Sequence, residues 1–303
     1  MQGLSLGSAA CSATEMRGVV MNVCQGFVVL SIMGFLCLMS INARAFAAQQ
    51  EVVRFARFQV GETVAYGIVE GDRVRQLSGD LFGAWTKTET TYALADVTLL
   101  VPTEPSKIVA LAGNYKSHIG KAETPKAPEP FFKVPSALLP VGGDIVIPKT
   151  TANVHFEAEM VIVMGKRAKN VPEGDALDCV LGVTCGNDVS ARDWQRDDVQ
   201  WWRAKGSDTF GPCGPFIASG LDYDNLLLEL RLNGEVKQRE RTSDLIHGVA
   251  AIVSWISEHV TLEPGDLIYT GTHGTTSAMK PGDVVEVELE GVGVLKNGVV
   301  AAP

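Results

Sequence analysis

The amino-acid sequence predicts an α+β fold in which strands dominate. Three observations carry this. From residue 51 onward the apolar residues come in short runs, many of period two, interrupted by Gly and Pro. Only one long segment, Thr242 to His259, places apolar residues at helical spacing (Leu245, Val249, Ile252, Val253 and Ile256). Strands therefore do not alternate with long helices, which excludes a doubly wound parallel sheet. A 303-residue chain of 46% hydrophobic composition has ample material for a sizeable core, and no internal repeat emerges.

In chain order, residues 1–47 read as a leader. Arg17 precedes the apolar run Phe27 to Met39, and Ala45-Phe46-Ala47 puts small residues where a signal peptidase cuts. The run falls short of the ~20 residues a membrane-spanning helix needs. A secretory signal over residues 16–47, cleaved after Ala47, is expected, with Met16 or Met21 a more ordinary start than Met1. The mature protein is then periplasmic or secreted and free of the membrane; an unused leader leaves it cytoplasmic.

Residues 48–100 form a small β-rich N-terminal region. The runs VVRFARF and AYGIVEGDRVRQL, with a turn at Glu70-Gly71-Asp72, read as hairpin strands that bury one face and lean on something larger. Pro102 and Pro105 mark the boundary with the main body, residues 101–303.

In that body Lys107 to Ala112 is a strand, Gly113-Asn114-Tyr115 a turn, and Lys116 to Glu123 a brief helix or loop. Beyond the proline-rich stretch 125–130 come Phe131-Phe132-Lys133, the strand-like Asp144 to Pro148, and the apolar strand Met160 to Met164. Up to Arg203, helix signals are confined to short stretches such as Glu173 to Cys179. Leu226 to Asn233 alternates, and Asn233-Gly234 is a strong hairpin-turn signal. Thr242, Ser243 or Asp244 is the expected N-cap of the one long helix. Leu267 to Tyr269 and Val284 to Leu289 are strands on either side of Thr270-Gly271-Thr272-His273-Gly274, each introduced by Pro-Gly-Asp.

The net charge of -9 argues against a nucleic-acid or anionic-membrane surface, which needs clustered Lys and Arg, and leaves small molecules as the expected partners. The six cysteines show neither paired short spacings nor neighbouring His clusters, so they are neither a zinc site nor a disulfide framework.

The most informative stretch runs from His155 to Asp193. In an extended strand, Glu157 and Glu159 present two carboxylates to one face, with Ala158 turned away. Such a pair beside an apolar run repels itself unless a cation or a proton neutralises it, and Asp188 offers a third oxygen. Oxygen donors suit Mg2+ or Mn2+, with Ca2+ also possible, better than zinc. The alternative is a solvated pair on an edge strand. His118, close to Asn114-Tyr115, is either a general base or a surface histidine. Lys133 and Lys205 are either anion-stabilising cations or exposed charges, and the Thr270–Gly274 stretch is either a carboxylate-binding turn or an ordinary hairpin.

The order of these signals is more specific than any one of them. Asn114-Tyr115 with His118, Phe131-Phe132-Lys133, FEAE at 156–159, NDVSARD at 187–193 with Gln195, RAKGSDTFGPCGP at 203–215, TLEPGDLIYTGT at 261–272 and KPGDVVEVELEGVGVLKN at 280–297 together resemble the fumarylacetoacetate hydrolase family. The resemblance covers residues 97–300. It implies a mixed β-sandwich roll with a small variable N-terminal region, usually a homodimer, acting on 2-keto acids. It also implies Glu157, Glu159 and Asp188 as metal ligands, and His118, Lys205 and Gln195 as catalytic residues. Tyr115, Lys133 and Thr272 would bind substrate. The chemistry shared by the family is an enolate, reached by hydrolysis of acylpyruvates, decarboxylation or isomerisation.

The chain departs from the pattern at three places. Many hydrolases of the family carry a glutamate three residues after the histidine, forming a base dyad, whereas position 121 is Lys; Glu123 is the candidate substitute, and a positive neighbour weakens His118 as a base. Ala158 replaces a glycine, and His273 a proline. The leading expectation is a metal-dependent hydrolase of an acylpyruvate-type 2,4-diketo acid. A decarboxylase or isomerase of the same family and a non-catalytic 2-keto acid binding protein are the alternatives.

Overall fold

The computed structural model describes residues 51–303; the leader and its cleavage point lie outside the described residues. Among the described residues no helix is long and apolar enough to cross a membrane.

Short loops build the first four strands. Val53–Val60 and Thr63–Glu70 are joined across Gly61-Glu62, and Thr63–Glu70 and Arg73–Gly79 across Gly71-Asp72. Gly61 and Gly71 both take positive φ, which a glycine supplies without steric cost. With Trp85–Ala93 these strands form one flank of a twelve-stranded sheet. They are not a cap resting on another layer. Val53–Val60 pairs antiparallel with Gly211–Ser219 (Phe55 opposite Ile217), so the N-terminal region is hydrogen-bonded into the main sheet.

From Gly211–Ser219 the sheet continues through Val180–Asn187, Ala158–Met164, Leu267–Tyr269 and Ile108–Ala112 to an edge at Glu129–Lys133. Ala158–Met164 is therefore central and wholly buried, which the unbroken apolar run Met160 to Met164 anticipates, since a central strand covered on both faces loses its alternation. A second sheet of five strands follows the order Glu235–Arg241, Leu227–Leu232, Val284–Leu289, Gly293–Ala301 and Asp144–Ile147. Its first hairpin turns at Asn233-Gly234, both with positive φ, as the sequence signal requires.

Between the sheets lies the main core, where Met160, Ile162 and Met164 meet Leu228, Leu230, Val285 and Val287. Helix Val249–His259 closes this core with Val249, Ile252, Val253 and Ile256, each burial stabilising by about 1.5–3 kcal/mol.

The helices differ from the sequence reading in two respects. The long one begins at Val249, not at Thr242. Thr242–Asp244 is a separate 3-10 turn whose Thr242 Oγ1 accepts from Leu226 N–H, so that side chain is committed elsewhere. The cap is Gly248, and the free Val249 N–H donates to Asp224 Oδ1 from another loop. Two short helices, Arg192–Asp197, which begins inside the NDVSARD motif, and Trp202–Gly206, lie where the sequence confines helix signals to short stretches such as Glu173 to Cys179; both carry site residues.

Candidate functional site

The site lies at one end of the central strands. Glu157 immediately precedes strand Ala158–Met164, Glu159 is its second residue, and Asp188 directly follows the neighbouring strand Val180–Asn187. Asp188 N–H donates to Glu157 O and Asn187 Oδ1 accepts from Glu157 N–H, which fixes the two strand ends against each other. The result is three carboxylates, 3%, 1% and 0% exposed, with ligand oxygens within 4.8 Å of one another. Burial this complete excludes the solvated-edge reading.

Cations hold two of the three. Lys205, on helix Trp202–Gly206, sets Nζ 2.6 Å from Glu157 Oε2 and 2.6 Å from Asp188 Oδ2. Lys133, fully buried behind the trio, donates to Asp188 Oδ1 at 2.6 Å and to the carbonyls of Lys205 and Phe210. Arg192 donates to Glu157 Oε1, to Gln195 Oε1 (2.7 Å) and to Thr276 Oγ1 (2.9 Å).

Burial pushes the Glu157 carboxyl up, but Lys205 and Arg192 outweigh it and bring the pKa down to about 2. Burial lowers Lys205 too, and Asp188 and Glu157 reverse that and raise it. Lys133 ends below its ordinary value because burial outweighs Asp188.

Glu159 has a different environment. Its Oε2 accepts only the Gly271 N–H at 2.7 Å, with no side-chain cation hydrogen-bonded to it. Burial, then Asp188 and Glu157, hold its carboxyl well above the carboxylate range. Hard oxygen donors only, crowded and with one carboxylate lacking a cation, fit a divalent ion of the Mg2+ or Mn2+ type. Gly271 makes the close approach possible. Its φ is +97°, and a Cβ there would lie 2.8 Å from Asn114 Cβ.

A cavity of about 120 Å3 opens on Glu157 and Glu159 and is walled by His118, Arg192, Gln195, Lys205 and Thr272. His118 is on the short helix Lys116–Ile119. Its Nδ1 lies 2.9 Å from Gly274 O, an acceptor only, so Nδ1 carries a proton and Nε2, 3.9 Å from Glu157 Oε1, is the nitrogen through which the ring can exchange one. Lys121 and Glu123 are exposed, and neither forms a hydrogen bond or ion pair with His118. The orienting partner of this histidine is a backbone carbonyl.

Of the nine site residues read from the sequence, the structure brings His118, Glu157, Glu159, Gln195, Lys205 and Thr272 to the cavity wall, with Asp188 joined to them through Lys205. Lys133 and Tyr115 lie behind that wall. Tyr115 is fully buried, its ring tilted against His273 at 5.4 Å between centroids, and its hydroxyl has no protein partner. Two residues escaped sequence reasoning. Arg192 stood inside the NDVSARD motif, but nothing in its spacing says that it turns back to Glu157. Gln238, on strand Glu235–Arg241, is buried and reaches Ala158, Thr272 and His273. Its neighbours in sequence are mostly charged, which hid it.

Two sheets around a buried core, with a carboxylate trio able to hold a metal ion at the floor of a small cavity lined by His118, Arg192 and Lys205, are the features of an enzyme class with a metal-binding acidic site. The chain belongs to the fumarylacetoacetate hydrolase family: residues 107–300 match the profile "Fumarylacetoacetate (FAA) hydrolase C-terminal", and residues 53–102 match "Rv2993c-like, N-terminal". The crystal structure of a 5-carboxymethyl-2-hydroxymuconate delta-isomerase from Mycobacterium smegmatis is similar at 41% identity and a TM-score of 0.78, covering 82% of this chain and 100% of that one. The mitochondrial oxaloacetate tautomerase FAHD2A of Bos taurus is 38% identical over 221 residues, 68% of this chain and 70% of the relative. A maleylpyruvate hydrolase from Sphingobium sp. SYK-6, in complex with manganese(II) and pyruvate, is similar at 27% identity and a TM-score of 0.69, covering 82% of this chain and all of that one. The strand-dominated architecture is that of the family, whose members are enzymes and include isomerases, a tautomerase and hydrolases.

Proposed function

We propose that the chain is a divalent-metal-dependent enzyme of small 2-keto acids that works through the enolate, and that its reaction is proton transfer at the carbon next to the keto group, a tautomerisation or isomerisation. One observation carries this reading: His118, its Nδ1 committed to the Gly274 carbonyl and its Nε2 on the cavity side, stands across from a buried carboxylate trio in which Glu159 lacks a cation. The isomerase and tautomerase relatives, at 41% and 38% identity, support the same reaction type.

Glu157, Glu159 and Asp188 would hold Mg2+ or Mn2+, with Ca2+ a further candidate; the bound ion supplies Lewis-acid stabilisation of negative charge on the 2-keto oxygen. The chain's own groups do the rest. His118 Nε2 accepts the proton from carbon and returns it. Lys205 places positive charge beside the developing oxyanion, and Gln195, whose Oε1 is taken by Arg192, is left with its amide N–H groups to donate. Thr272 holds the substrate carboxylate. Lys133 acts from behind, fixing Asp188. A cavity of about 120 Å3 suits a short acid.

Hydrolysis of an acylpyruvate is the second reading. The Gly274 carbonyl gives His118 the same base tautomer that a dyad carboxylate gives, so activation of water is chemically available to it. The manganese- and pyruvate-bound hydrolase relative is the comparison in its favour.

A substrate panel separates these. With Mg2+ or Mn2+, loss of oxaloacetate enol or shift of a 2-hydroxydienoate double bond, abolished by EDTA and by Glu157→Ala, supports proton transfer. Pyruvate from acetylpyruvate establishes hydrolysis, and pyruvate from oxaloacetate alone decarboxylation. Saturable binding without product from any of them leaves a binding protein and sinks the enzyme reading.

Two broader expectations belong to the proposal. Export is supported by the leader alone; a tagged protein found in the periplasm or medium shortened by about 47 residues would support it, and full-length protein in the cytoplasm would refute it. A homodimer is supported by the family resemblance and by the clustering of exposed Phe132, Val134, Val199 and Trp202 at and near the edge strand Glu129–Lys133. Light scattering of the purified protein decides it.

A further inference from the structure

Gln238 is 2% exposed and sits between three groups of the site without touching the cavity. Its Oε1 accepts the N–H of Ala158, the residue between the two glutamates, at 3.0 Å. Its Nε2 donates to the carbonyl of His273 and to Thr272 Oγ1, the latter at 2.9 Å. The amide has no freedom to flip. Ala158 N–H can only donate and His273 C=O can only accept, so the oxygen must face the first and the nitrogen the second. The nitrogen is then a donor toward Thr272 as well. A threonine hydroxyl has one proton to give, and here its oxygen already accepts. Among the described residues no acceptor takes that proton, and Thr272 lines the cavity.

We infer that Gln238 is a positioning residue that fixes the polarity of the Thr272 hydroxyl, making that corner of the cavity a hydrogen-bond donor and therefore a seat for an ionised carboxylate. The inference rests on the reading of the cavity as a 2-keto acid site and goes one step further: it identifies what keeps the Thr272 proton available to an anion. Because one amide also ties strand Ala158–Met164 to the Thr270–Gly274 turn, the donor is held at a set distance from Glu157 and Glu159. A carboxylate oxygen placed there takes that proton without competition from any acceptor among the described residues, whereas an amide N–H finds only the one lone pair that Gln238 leaves.

The test is a double-mutant cycle read by calorimetric binding of pyruvate to the Mn2+-loaded protein. Gln238→Glu keeps an acceptor for Ala158 N–H but has no proton to give, so the Thr272 hydroxyl turns to it and is lost to the ligand. Pyruvate affinity should fall roughly ten- to hundredfold, the value of a hydrogen bond to a charged group. Thr272→Val should lose a similar factor, Thr272→Ser little, and Gln238→Glu in the Thr272→Val background nothing further. Simple charge repulsion from the new glutamate would persist in the valine background, which separates the two explanations. Should the glutamate variant fail to fold, Gln238→Met, which frees the hydroxyl to rotate without taking its proton, is carried through the same cycle and should cost a smaller factor that also vanishes in the Thr272→Val background.

Wild-type affinity in the position-238 variant, or losses that multiply independently in the double variant, overturns the inference while the 2-keto acid reading stands. Absence of pyruvate binding by the wild-type protein overturns both.

Discussion

Lys205 Nζ and Glu157 Oε2 form an ion pair 2.6 Å long with both side chains 4% exposed, and the same ammonium sits at the same distance from Asp188 Oδ2. Lysine thus neutralises two of the three carboxylates that could hold a divalent cation, so lysine and cation contribute positive charge to one carboxylate cluster.

Lys205→Met follows directly. Removing the ammonium leaves Glu157 with Arg192 alone and Asp188 with Lys133 alone, a loss of about 1.5–3 kcal/mol in metal-free protein, the value of a hydrogen bond to a charged group. A cation should replace the lost charge, so Mn2+ should raise the melting temperature of the variant more than that of the wild type. Thermal melts with EDTA and with Mn2+ check this; equal shifts in both proteins would show that lysine and metal do not share the cluster.

The parts of this site legible in the sequence are those with local signatures. Glu157 and Glu159 are two apart on a strand, Asp188 ends the next apolar segment, and Asn233-Gly234 names its own turn. What stayed hidden arises from the fold alone. Arg192 turns back to Glu157 across thirty-five positions, and Gln238 reaches Thr272 across thirty-four. The Val249 N–H finds its cap at Asp224 in a separate loop, which moved the helix start seven residues from the local N-cap signal. His118 likewise takes its orienting partner from Gly274, while the sequence directed attention to Lys121 and Glu123.

Glu159→Gln separates metal binding from folding. The amide keeps an acceptor for Gly271 N–H but removes the charge that burial, Asp188 and Glu157 all oppose. The metal-free variant should melt higher than the wild type while losing metal affinity. A variant that melts lower than wild type in EDTA would contradict the reading of Glu159 as the uncompensated member.

The stability of the protein should have an acid limb set by His273. Its two ring nitrogens are buried without partners, and burial, reinforced by His118, lowers its pKa from 6.5 to about 4. The unfolded chain therefore binds this proton more readily than the folded one between those values. Stability from this residue is complete above pH 6.5 and is lost as pH falls toward 4, about 3 kcal/mol at roughly 1.4 kcal/mol per unit. His273→Phe, which fills the space and cannot charge, should flatten this limb in urea titrations across pH 4 to 7. An unchanged slope would place the acid sensitivity elsewhere.

Ser117→Ala tests how His118 is held. Helix Lys116–Ile119 is only four residues long, too short to persist without outside contacts. Two of these contacts meet at one residue: Gly274 N–H donates to Ser117 Oγ at 3.0 Å, and His118 Nδ1 donates to Gly274 O at 2.9 Å. Ser117 Oγ in turn donates to Glu240 Oε2 at 2.5 Å, anchoring the helix to strand Glu235–Arg241. Losing the serine hydroxyl leaves His118 with its chemistry intact but its placement loosened. Turnover should fall roughly threefold to tenfold, whereas His118→Gln, which removes the base, should cost about 100-fold or more. The pH-rate profile should keep its shape in Ser117→Ala, because the base is the same, and lose its acid limb in His118→Gln, because a base acts only when deprotonated. A Ser117→Ala profile displaced along the pH axis would mean that the serine tunes the histidine's proton affinity instead of its position.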